Sequence, residues 1–379
     1  MINQTADDDK KLVSSKSQVG ELTASDDGAS DSHHHHHHHR RMNKTTRVVL
    51  IVLGVIGVVV ASAVVALAVA INKGKASLHL EGSIDVDLVP ETVEVIEEDN
   101  TVTYKGHTYK YNENVIAVLL IGRDLATEYN TTTDATCADA NVLFTIDTST
   151  NVVKAIEIPR NSMVDVDLYK NGIYTTTEEM QLALAHAAYT DSLAGSAANT
   201  VTSSRRIFYG LPIEKYIDID EKAFVDAATA IGGVSVEALD SIPGTDIVKC
   251  ETVLLLGEAA YSYVQYRDVD KEESALDRQE RQMQFIQAFV NKASKKDVST
   301  LMKIYSSVSD YIETNITLSE VMYLTTCFAT GDNATFELRT ISGTTETVEE
   351  ADGIEREHYF LDEDSTIEAT LAAFYTQID

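Results

Sequence analysis

The chain predicts an α/β fold, an α-β-α layered domain built on a central sheet and preceded by a single transmembrane helix. Three features predict it. An uncharged apolar run occupies residues 48–71, buried-strand segments alternate with helical segments from Val115 onward, and no Pro/Gly/Ser-rich linker interrupts the chain after Ser294. With 379 residues, 44% of them hydrophobic and none of them Trp, the composition is that of a globular protein with a real core.

The apolar run reads VVLIVLGVIGVVVASAVVALAVAI. At 1.5 Å per residue it reaches roughly 36 Å as a helix, enough to cross a bilayer core. A secretory signal would be shorter and closer to Met1, so this run reads as an uncleaved anchor. Arg40, Arg41, Lys44 and Arg47 flank its start, against Lys73 and Lys75 at its end, which places the N-terminus in the cytoplasm and the larger part outside. The expected organisation is a disordered cytoplasmic tail over 1–46, the anchor over 47–71, an extracytoplasmic spacer over 72–111, the main domain over 112–293 and its continuation over 294–379. The tail is too polar to bury a core. Its run His33 to His39 is a candidate adventitious metal binder.

Seven acidic and seven basic residues precede Val48, so the whole formal charge of −30 falls beyond that point. Such a polyanionic domain repels DNA and RNA, and any anion must be met by a local basic pocket. Cys137, Cys250 and Cys327 are too few and too irregularly spaced for a metal knuckle or a disulfide framework.

In order, the spacer carries a short hairpin turning at Lys105-Gly106. VIAVLLIG, NVLFTID and VVKAIEI then read as buried strands. Helical spacing is expected from Glu178 to Tyr189 and from Thr200 to Tyr209. IEKYIDID is a strand feeding the helix EKAFVDAATA, which Gly232-Gly233 stops. Helices follow over 257–266 and 277–293, further amphipathic helices beyond Ser294, a strand near 334–341 and a last helix near 365–377.

Candidate chemistry gathers at the strand ends. Asp124 follows VLLIG and Asp139 precedes NVLFTID, where two convergent carboxylates could hold a hard divalent ion. Arg160 follows VVKAIEI. Arg267, Arg278 and Arg281 fall within QYRDVDKEESALDRQERQMQF, with Arg278 and Arg281 on one helix face. Guanidinium forks bind phosphate oxygens bidentately. The competing reading pairs these arginines with Asp268, Asp270, Glu272, Asp277 and Glu280 as a salt-bridged surface. His186, on the apolar segment QLALAHAAY, reads as a core histidine rather than a base. Nucleophile-elbow, HExxH and P-loop motifs are absent.

The ordered segments VLLIGRD, CADANVLFTID, VVKAIEIPRNSMVDV, LALAHAAY, FYGLPIEKYIDIDEKAFVDAATAIGGVSV, LLLGEAAYSYVQYRD and DRQERQMQFIQAFV resemble the LytR-CpsA-Psr family over about residues 115–290. The resemblance implies a central mixed sheet, magnesium on Asp124 and Asp139, and pyrophosphate on Arg160, Arg267, Arg278 and Arg281, with Asp124, Asp139 and Arg160 as the catalytic set. Cys137, Gln265 and Gln181 stand at or near places where many members carry a basic residue.

The function so implied is transfer of a glycopolymer from a polyprenyl-pyrophosphate carrier to a peptidoglycan or other wall hydroxyl, with magnesium and the arginines stabilising the departing pyrophosphate. Leu182, Leu184, Phe224 and Phe285 are candidates to line a groove for the lipid tail. Two rivals stand beside it, hydrolysis of the lipid pyrophosphate and a regulatory protein that only binds lipid-linked precursors.

Overall fold

The structure, a computed structural model, describes residues 62–123, 136–268, 274–329, 335–350 and 353–379. Asp124, the histidine run, the rest of the tail expected to be cytoplasmic and residues 48–61 of the apolar run lie outside the described residues. Among the described residues no helix is long and apolar enough to cross a membrane.

Residues 62–78 are helical and form α1. Strands β1 (Glu94–Ile96), β2 (Thr101–Tyr104) and β3 (His107–Tyr111) follow. The β2–β3 turn falls at Lys105 and Gly106 as expected, and both take positive φ, 50° and 83°, as a two-residue hairpin requires. Next come β4 (Val115–Arg123), β5 (Ala138–Asp147) and β6 (Val152–Glu157), the three apolar runs of the sequence.

The hairpin β7 (Met163–Lys170) and β8 (Ile173–Gln181) corrects the expected helix from Glu178. Its β-branched IYTTT run pairs with β7, and the ladder extends to Gln181, so α2 (Leu182–Ala187) starts four residues later than expected. Then follow α3 (Leu193–Ile207), β9 (Lys215–Ile219), α4 (Glu221–Ala230), β10 (Val234–Glu237), β11 (Thr252–Leu255), α5 (Glu258–Gln265), α6 (Ser274–Ala293), α7 (Val298–Val308), β12 (Ile312–Thr314) and α8 (Leu318–Ala329). Strand β13 (Thr335–Thr340), the hairpin β14 (Gly343–Glu349) and β15 (Glu355–Leu361), helix α9 (Glu363–Phe374) and β16 (Tyr375–Gln377) complete the chain. The last helix therefore ends at Phe374, because Tyr375 turns into a ladder with Tyr111 of β3.

Six strands form the central sheet in the order β12-β9-β4-β5-β6-β13. Pairing is parallel for β4 with β9 and for β6 with β13, and antiparallel elsewhere, so the sheet is mixed. Strand β4 shows why it must be covered twice. Val115, Ala117, Leu119 and Ile121 enter a core with residues of α2, α3 and α9, while Ile116 and Val118 join α8 and Leu120 packs towards Met283 and Ile286 of α6. Helices on both faces make the α-β-α sandwich that the sequence predicts. A separate core under the β10–β11 ribbon collects side chains of α4, α5 and α6.

The antiparallel sheet β1-β2-β3-β16 joins the expected spacer to the C-terminus of the chain. Residues 94–111 are thus part of the folded body, held by their pairing with the last strand.

Candidate functional site

Strands β4, β6, β9 and β13 run the same way and end at Arg123, Glu157, Ile219 and Thr340, beside the first residues of β5. At this edge the backbone leaves the ladder, and side chains carried by different strands converge. Asp139 lies inside β5, as its second residue, rather than ahead of it.

Arg160 sits on the turn after β6. The turn closes through Ser162 N donating to Pro159 O at 3.0 Å. Two N–H groups at the start of α2, those of Leu182 and Ala183, donate to Ser162 O at 2.8 Å and Arg160 O at 2.9 Å, so donors that no helical carbonyl can reach fix the turn. The Arg160 guanidinium meets the Asp139 carboxylate as an ion pair. Its Nε is buried without a hydrogen-bond partner, a donor that an anion's oxygen would satisfy.

Arg278, on α6, is the most telling residue. Burial and the neighbouring guanidinium of Arg160 push its pKa down, Asp139 pulls the other way, and Arg267 and Arg281 push it down further. Arg160, Arg267, Arg281 and Asp139 are therefore each within electrostatic reach of Arg278, brought around it from positions spread over more than 140 residues of sequence. A half-buried cation among three others is unfavourable on its own, and a multiply charged anion relieves it.

Arg281 is 1% exposed and its donors are engaged. Nη1 meets Asp240 Oδ2 at 2.6 Å, Nε donates to Tyr263 O at 3.0 Å, and Nη2 donates to Tyr266 O. Those carbonyls end α5, where helical partners run out, so Arg281 caps α5 and holds the Arg267 that follows. Its guanidinium also lies 5.4 Å from the centre of the Tyr266 ring. Arg267 is more open and stands 3.6 Å from Glu357 of β15.

Sequence reasoning missed several neighbours. Glu157, 5% exposed, accepts from Thr340 Oγ1 at 3.1 Å; burial raises its pKa to about 7, outweighing that bond and the charge of Arg278. Arg123 donates to Asp218 at 3.0 Å and to Asp220 at 3.4 Å. His186 is a satisfied core histidine, as expected, with Nε2 3.1 Å from Asp218 Oδ2 and Nδ1 2.7 Å from Thr136 O. The hairpin β14–β15 reaches the site through Tyr359 N, which donates to Asn161 O at 2.9 Å, and through Gln181 Nε2, which donates to Glu357 O at 2.8 Å. Because these partners lie far away in sequence, only the positions of Gln181 and Asn161 near the strand ends could have hinted at them.

The groove candidates do not share one surface. Leu182 is fully buried in the core beside α3 and α9, whereas Phe224 and Phe285 pack at a tilt with ring centres 4.9 Å apart in the separate core under β10–β11, and Leu184 is half-buried. Cys137, Cys250 and Cys327 are unbridged. Asp139 offers magnesium a hard oxygen donor at the right edge, which suits that ion's chemistry. Among the described residues there is no group of three or more His, Cys, Asp or Glu that could hold a metal.

Comparison with known proteins agrees with this architecture. The LytR_cpsA_psr family model matches residues 88–371. The polyisoprenyl-teichoic acid–peptidoglycan teichoic acid transferase TagV of Bacillus subtilis is 23% identical over 248 residues, covering 63% of this chain and 59% of that protein. Biofilm regulatory protein A of Streptococcus mutans is 27% identical over 234 residues, covering 57% of this chain and 54% of that one. The chain thus spans less than two thirds of the length of these relatives. The crystal structure of B. subtilis TagV superposes with a TM-score of 0.54 at 20% identity, covering 69% of this chain and 96% of that one. A structure of TagT bound to LIIa-WTA gives 0.51 at 22%, covering 69% and 90%. The fold is shared, and by its match to the family model over three quarters of its length this chain belongs to the LytR-CpsA-Psr family.

Proposed function

We propose that the chain transfers a glycopolymer from a polyprenyl-pyrophosphate carrier to a hydroxyl of the cell wall, peptidoglycan or another wall polymer, at the outer face of the membrane. The observation that carries this reading is Arg278, half-buried and pressed by the guanidiniums of Arg160, Arg267 and Arg281. On a domain that is otherwise strongly acidic, such a cluster has a specific use, to receive phosphate oxygens. The relatives named as teichoic acid transferases support the same substrate class.

Arg160 and Arg278 bind the pyrophosphate, and the more exposed Arg267 contacts it as well. Arg281 holds the Arg267 segment in place. As the acceptor hydroxyl attacks, negative charge builds on the oxygens that these guanidiniums face, and a low-dielectric setting strengthens each contact. Magnesium would be held by Asp139 together with Asp124 and would add further neutralisation of the pyrophosphate.

The test is incubation of the full chain in proteoliposomes with labelled lipid-linked glycan, a wall acceptor and magnesium. Glycan in the acceptor fraction supports the transferase. Released glycan without transfer supports a hydrolase, and bound but unchanged lipid supports a binding protein. Lipid monophosphate as the by-product marks attack at phosphorus, and lipid pyrophosphate marks attack at the anomeric carbon. Arg160→Ala and Asp139→Ala should each abolish turnover while leaving the fold intact.

A further inference from the structure

Helix α1 changes character along its length. From residue 62 to residue 69 every side chain is exposed, and all but Ser62 are apolar, with Val64, Val65 and Val69 at 60% or more. An apolar helix bare on all sides is unfavourable in water and at home in lipid. From Ile71 onward the same unbroken helix turns one face to the domain. Ile71 and Leu78 pack with Val321, Tyr323, Leu324 and Cys327 of α8, and Gly74 is buried between them.

Gly74 marks the closest approach. A Cβ at this position would lie 2.1 Å from Ser319 O and 2.6 Å from Ser319 C, so only glycine lets the two helix backbones meet here. The contact is reinforced around it. His79 packs against the Tyr323 ring with centroids 5.9 Å apart, and its Nε2 lies 3.0 Å from Thr148 Oγ1 at the end of β5. Glu320 is 1% exposed. Burial raises its pKa, but hydrogen bonds from Lys215, Thr317 and Ser77 outweigh it and hold the carboxyl below its ordinary value. Lys215, 2.8 Å from Glu320, opens β9 of the central sheet.

We propose that α1 is a rigid stalk rather than a flexible tether: its Gly74–Ser319 junction with α8 fixes the tilt of the domain, and hence the presentation of the arginine site, relative to the bilayer surface. This rests on the reading of residues 48–71 as a membrane anchor and of the site as acting on a lipid-linked substrate. The docking end of α1 meets the start of β4, through Ile116 and Val118, whereas the arginines gather beyond the end of that strand. The two are separated by about 20 Å along the sheet, at roughly 3.3 Å per residue. With such a lever arm, a loose junction would sweep the site through a wide arc. Lys73 and Lys75, exposed just beyond the apolar stretch, and Leu318, 56% exposed beside the junction, are placed to meet headgroups and the interfacial layer.

The test uses the full chain in nanodiscs, with a fluorophore on the folded domain, and three forms: wild type, Gly74→Leu, and a chain with a ten-residue Gly/Ser insertion between Ile71 and Asn72. Time-resolved anisotropy of the wild type should show only the slow rotation of the disc, and both altered forms should add a fast component from independent tumbling. A fast component already present in the wild type would overturn the proposal, as would its absence from the insertion form. In proteoliposomes the insertion form should turn over a membrane-embedded lipid-linked glycan at least tenfold more slowly than wild type, with unchanged activity on a water-soluble short-chain analogue. Equal rates on the embedded substrate would count against a role in presentation. If wild type turns over neither substrate, the proposed function fails, while the anisotropy result still decides the stalk.

Discussion

Arg123 Nε lies 3.0 Å from Asp218 Oδ1, joining the last residue of β4 to the penultimate residue of β9 in a place where Asp218 has no exposure and Arg123 has 9%. The other oxygen of Asp218 faces His186 Nε2 at 3.1 Å, so one carboxylate ties two strands of the sheet to α2 at the edge where the site is built.

Removing that carboxylate leaves a buried guanidinium without its main partner. Asp218→Ala should cost about 3–5 kcal/mol of stability. Urea unfolding followed by circular dichroism measures it, and a loss under 1 kcal/mol would show the pair to be dispensable.

Arg278 is held against burial and against its neighbours' charge. Arg278→Met keeps the side chain's length without the charge, so it should leave stability unchanged or raise it while weakening binding of inorganic pyrophosphate about a hundredfold, on the order of 3 kcal/mol. Calorimetric titration and thermal melts on the same preparation separate the two effects. A variant that binds normally contradicts the arginine cradle.

Arg281 and Arg267 should part company. Arg281→Ala strands Asp240 and the last carbonyls of α5, at a cost of about 3–5 kcal/mol. Arg267→Ala removes an open ion pair to Glu357, worth under about 1 kcal/mol, yet should reduce transfer by tenfold or more. Denaturation and activity assays of both variants would expose the opposite ranking if Arg281 were the binding residue and Arg267 the scaffold.

Glu157 makes a pH prediction. Its pKa in the fold, about 7, lies above the ordinary 4.5, so the folded state holds the proton more tightly. The resulting stabilisation is complete below pH 4.5, is lost as pH rises through 7, and is on the order of 3 kcal/mol. Glu157→Gln, fixed in the neutral form, should match wild type at pH 4.5, exceed it at pH 8, and flatten the profile between. Parallel profiles of melting temperature against pH would refute this assignment.

Much of the framework was legible in the residues themselves. Three apolar runs became β4, β5 and β6 because side chains of a strand covered on both faces must be apolar at nearly every position. Asp139, Arg160 and the arginines of α6 stood out because strand ends and helix faces are where polar groups can converge. Strand β7 does alternate, with Val164 and Val166 turned to the core in turn with Asp165 and Asp167, but its partner β8 and the β14–β15 hairpin were not legible, since their threonine- and glutamate-rich strands carry no apolar alternation and are specified by pairing.

Sequence alone determined which cations exist and which elements carry them. The tertiary structure decided what each one does. Arg281 takes Asp240, 41 residues upstream, and Arg267 stands beside Glu357 at the other end of the domain. Local spacing offered both of them nearer acids, but charge pairing acts over a few ångströms of space, and those distances are set only when the sheet brings its edge together.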